Sequence, residues 1–116
     1  MATKRSKLPI EVTADQTARY ETLMPLLRAM AEDFDELARK RPDGVLNERK
    51  VELVNRLLTD VLSLLADEPT AGYLDKLTTE SLPQNSDVVL ILGQCVAAME
   101  SFHSRHIEYG VWNIKQ

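Results

Sequence analysis

Apolar residues in this chain recur at helical spacing. In the segment from Asp87 to Glu108, Val88, Leu92, Cys95, Met99, Phe102 and His106 follow one another at steps of four, three, four, three and four. That is one face of a helix sustained for about three heptads. Val89, Ile91 and Val96 widen the apolar side of its first half. The second half turns polar with Glu100, His103, Arg105 and His106.

An earlier stripe runs Tyr20, Leu23, Leu27, Met30, Phe34 and Leu37. It predicts a first helix from about Thr13–Asp15 to Lys40. Thr13 or Asp15 can cap it, and Arg39, Lys40 and Arg41 suit its negative end. Pro25 lies off the stripe, which keeps its phase, so a kink is expected rather than a break. Pro42-Asp43-Gly44 reads as a turn. Asn47 is a cap for the second helix, with Leu46 and Val51 placed as a hydrophobic staple. Val51, Val54, Leu58, Val61 and Leu65 form its stripe, broadened by Leu57, Leu62 and Leu64. It should end before Pro69.

Residues 70–78 predict a short helix with Tyr73, Leu74 and Leu77 inward. Residues 79–86 predict a loop, with Asn85 or Ser86 capping the last helix and Gly110 stopping it. The fold class is therefore all-α: a bundle of three long helices plus one short one, completed by oligomerisation. The alternative is a monomer whose short helix and tail cover the groove. One domain is expected: residues 1–12 form a flexible or loosely docked basic arm, 13–110 the bundle, and 111–116 an apolar tail.

Charge adds an asymmetry. The net charge is -4, but Lys4, Arg5 and Lys7 stand in the first ten residues without an acid, so the remainder carries -7. An acidic body argues against duplex DNA or an anionic membrane as the main partner. The basic corner that Lys4, Arg5, Lys7, Arg39, Lys40 and Arg41 could form keeps a nucleic-acid-binding regulator as an alternative. One cysteine excludes an internal disulfide, and no apolar run is long enough to span a bilayer. A cytoplasmic location is expected.

Two clusters are candidates for metal chemistry. Glu100-Ser-Phe-His103 resembles the metal-binding E-x-x-H of ferritin-like di-iron proteins, and His106 extends that face by a turn. That resemblance implies a second copy of the motif, which only a symmetric partner could supply. Glu32, Asp33, Asp35 and Glu36, set against Asp60, are carboxylates of the kind that hold magnesium. The arrangement resembles the all-α nucleoside triphosphate pyrophosphohydrolases over about forty residues. The resemblance implies a metal-dependent hydrolase, but Leu57 stands where that family has a Glu. Cys95 lies two to three turns from His103 and His106, too far for activation as a nucleophile.

The reading that follows is a small non-enzymatic, cytoplasmic interaction module, without cofactor, whose partners are itself and another protein. A bacterial or phage accessory protein, adaptor, inhibitor or regulator fits that composition. The contacts are expected from Leu58, Leu62 and Leu65 on the second helix, Val89 and Val96 on the last, and Val111, Trp112 and Ile114 in the tail.

Overall fold

The computed structural model describes residues 11–116. The basic residues Lys4, Arg5 and Lys7 lie outside them. The described chain is mostly helical. Helix α1 spans Ala14–Lys40, α2 Glu48–Leu64 and α3 Asn85–His106, with a single 3-10 turn at Ala71–Tyr73. A small antiparallel sheet follows α3, with β1 at Ile107–Glu108 and β2 at Val111–Trp112.

Local chemistry sets the helix ends. Thr13 caps α1 by accepting from the Gln16 N–H at 3.0 Å, and Gln16 accepts from the Thr13 N–H in return. The helix then runs unbroken through Pro25, which sits on its exposed side. Asn47 accepts from the Lys50 N–H at 2.8 Å to start α2, and the staple residues Leu46 and Val51 are both buried. At α3 the structure moves the cap one residue earlier than expected. Gln84 occupies it, and its N–H donates to Asp87 at 2.9 Å. Asn85 is instead buried and donates from Nδ2 to the Arg41 carbonyl at 2.9 Å. A Cβ at Gly44 would stand 2.9 Å from Asn85 Nδ2, so a larger residue there would displace the Asn85 side chain from this bond.

The core contains Leu23, Met24, Leu27 and Phe34 from α1, the whole α2 stripe, and Val88, Leu92, Cys95, Met99 and Phe102 from α3. Two expectations fail in the connection between α2 and α3. No helix forms over 70–78 beyond the one 3-10 turn, and Tyr73 points outward at 78% exposure. Asn55 takes the place of helical hydrogen bonding. It donates to the Leu77 carbonyl at 2.9 Å and accepts from the Leu77 N–H at 2.8 Å, pinning an extended segment onto α2.

Chain ends also differ from the sequence expectation. Helix α3 stops at His106 rather than near Gly110. Tyr109 and Gly110 both adopt positive φ, 53° and 81°, which is the two-residue turn that suits a hairpin. The last residues then return along the helix ends. The Val12 N–H donates to the Asn113 carbonyl at 3.0 Å, and the Lys115 N–H donates to the Val12 carbonyl at 2.6 Å. Val12, placed in the arm by its sequence position, is buried.

Candidate interaction face

The expected contact residues separate into two groups. Leu58 and Leu65 are fully buried within the chain's own core, so neither is available to a partner. Both belong to the core that the chain builds for itself. Leu62, Val89, Val96, Trp112 and Ile114 are half-buried, and Val111 is exposed.

Trp112 is held by its own chain. Its ring meets Tyr20 edge-on at 5.2 Å and His103 at 5.1 Å, and lies 5.9 Å from Phe102. Its Nε1 donates to Glu21 at 3.1 Å. Tyr20 stacks on both Phe102 and His103. Burial raises the Tyr20 phenol pKa above its ordinary value, against the opposing pull of Arg28.

Below this aromatic cluster is a carboxylate that no sequence pattern singles out. Glu68, in the turn after α2, has a side chain only 8% exposed. Its Oε1 accepts from Arg105 Nε at 3.1 Å, and its Oε2 lies 2.9 Å from His106 Nε2. His106 is buried against Phe102, with ring centres 4.6 Å apart. The arrangement ties the α2 turn to the end of α3 and so carries the hairpin.

The metal candidates do not converge. Glu100 pairs with Arg28 at 3.6 Å on the surface, His103 stacks on Tyr20 and meets Trp112 edge-on, and His106 faces Glu68. Glu32, Asp33, Asp35 and Glu36 are all exposed around the buried Phe34, and Asp60 is exposed on α2. Among the described residues, no three His, Cys, Asp or Glu side chains form a group able to hold a metal ion. Arg39, Lys40 and Arg41 are exposed at the end of α1. Cys95 is completely buried, and burial, with a smaller contribution from Asp75, pushes its pKa from 9.0 to about 11.

What remains exposed and unusual is the outer side of α3. From Val88 to Met99 this helix carries no charged residue. Leu90 is 63% exposed, and Gly93, Gln94 and Ala97 lie open beside it. The exposed sides of α1 and α2 carry charges along most of their length, although α1 also exposes Leu26 at 55% and Leu37 at 39%. Beside Leu90 opens a groove of about 360 Å³ between α3 and the 76–83 segment, lined by Leu77, Leu82, Pro83 and Ile91 with Lys76, Thr78, Ser81 and Asp87 at its polar positions. Leu82 is partly exposed there, at 37%. This face can bind by burying the apolar area of Leu90 and the groove beside it. Among the described residues, no helix is long and apolar enough to cross a membrane.

No match to this chain was found among protein-family models, curated proteins or solved structures.

Proposed function

We propose that this protein is a small non-enzymatic interaction module that acts as a helical homo-oligomer, in the manner of an accessory protein, adaptor, inhibitor or regulator. The observation that carries this reading is the uncharged outer face of α3 around the exposed Leu90. A helix side facing only water ordinarily carries charges, and an uncharged one that exposes a leucine beside a groove supports reading it as an association surface. The half-buried Val89 and Val96 flank this face, so part of the surface expected from the sequence adjoins it. The buried, unpaired Cys95 suits a reducing compartment such as the cytoplasm.

The test is sedimentation equilibrium of the full chain across a wide concentration range, beside the Leu90→Asp variant. A concentration-dependent dimer or larger oligomer is expected for the native sequence, with dissociation in the variant. A native chain that stays monomeric at every concentration overturns the reading.

A further inference from the structure

Six residues of α3 project to its outer side: Ser86, Leu90, Gly93, Ala97, Ser101 and Ser104. Glu100, paired with Arg28 of α1, borders one edge of this face. Asp87 and Arg105 border the other at opposite ends of the helix, with the exposed Gln94 between them, as the helical repeat dictates.

Gly93 has no role within the chain that requires glycine. A Cβ built on it meets nothing within 4 Å, and its φ is not positive. In mid-helix, glycine is less stable than alanine. Its absent side chain would, however, let a second backbone come close, next to a leucine already exposed.

We infer that this face docks a second copy of the chain, with α3 packed antiparallel against α3 about a two-fold axis near Cys95. The inference rests on the homo-oligomer reading and specifies its geometry. In this arrangement Gly93 lies opposite Ala97 of the second copy, so small residues meet at the centre. Leu90 lies opposite Ser101, large against small, and Ser86 lies opposite Ser104. The edge charges select the direction. Antiparallel pairing brings Asp87 toward Arg105 of the second copy, and symmetry repeats that opposite-charge contact. Parallel pairing sets Leu90 on Leu90 and turns the edge that carries Asp87 and Arg105 toward the opposite edge of the second copy, so the two charges do not meet. Arg105 holds Glu68 through Nε, and a guanidinium has further donors that can reach across the edge. The groove beside Leu90 extends the contact onto Leu82.

Disulfide trapping tests the geometry. In a Cys95→Ala background, Gly93→Cys and Ala97→Cys chains are mixed and mildly oxidised, and the products are counted by mass spectrometry. The expected product is the mixed 93–97 disulfide, at least tenfold over 93–93 and 97–97. Separately, Gly93→Leu is expected to weaken association at least tenfold while leaving helical circular dichroism and melting temperature at or above native values. A native dimer whose traps are mainly 93–93 and 97–97, or whose association Gly93→Leu leaves unchanged, overturns this geometry while the homo-oligomer reading stands. A native chain monomeric throughout overturns both.

Discussion

His106 Nε2 lies 2.9 Å from Glu68 Oε2, although 38 positions separate the two residues. The imidazole is 2% exposed and the carboxylate side chain 8%, so neither has water as an adequate substitute partner. The contact holds the last residue of α3 against the turn after α2, at the point where the chain leaves the helix for the hairpin.

Replacing Glu68 by Ala is expected to destabilise the protein by about 1–3 kcal/mol, the usual cost of leaving buried polar groups without their partner. Chemical denaturation checks this. The loss should also appear locally, as faster amide exchange in residues 107–115 than in α1. If Glu68→Ala unfolds at the native midpoint, the contact contributes nothing to stability and another interaction anchors the hairpin.

Asn55→Ala removes both side-chain hydrogen bonds to the Leu77 backbone. A loss of about 1–2 kcal/mol is expected, since two peptide groups in a part-buried segment lose their partner. Proteolysis should then shift to residues 74–83. Unchanged cleavage would mean that the burial of Leu77 alone holds the segment.

The helices were legible in the sequence because apolar residues repeat at alternating steps of three and four only where one side of a helix is buried. Caps at Thr13 and Asn47 were legible because they are short-range. The missed features are long-range or very short. Asn55 gave no signal, because an asparagine on a helix declares nothing about a backbone group 22 residues away. Glu68 belongs to no motif or stripe that would set it apart from the other acids of the chain. The hairpin has two residues per strand, too few for a period, and Tyr109-Gly110 is a weaker turn signal than Asn-Gly. Leu58 and Leu65 resemble contact surface in the sequence because stripe width counts neighbours without saying whether they belong to the same chain. Leu90 lies off the stripe of α3 but within its most apolar stretch, where composition alone does not separate an exposed leucine from a buried one.

Cys95 makes an alkaline prediction. Its folded pKa, raised to about 11 from 9.0, means that the native thiol keeps its proton more tightly than the unfolded one. Below about pH 9 both states are protonated and pH has no effect through this group. Between about 9 and 11 the unfolded chain ionises first, so stability falls as pH rises. Tyr20 adds in the same direction, so the measurement is the difference between native protein and Cys95→Ala. That difference is expected to change across this window and to be flat at lower pH. At neutral pH a thiol reagent should label Cys95 only as fast as the core opens. Rapid labelling of the native protein would contradict its burial.

Leu58 and Leu90 separate folding from association. Leu58 is 0% exposed, at the centre of the α2 stripe, and Leu58→Asp places a carboxylate where no partner or water can reach it. A loss above about 4 kcal/mol is expected, enough to unfold a domain of this size. Leu90 is 63% exposed, and Leu90→Asp should change the unfolding free energy of the monomer by no more than about 0.5 kcal/mol. Both substitutions put the same charge in place of the same side chain, so chemistry cannot account for a difference between them. Circular dichroism should show Leu58→Asp unfolded and Leu90→Asp native, while sedimentation should show Leu90→Asp dissociated. If Leu90→Asp instead unfolds with Leu58→Asp, the outer side of α3 belongs to the folding core of one chain, and its lack of charge has an internal cause.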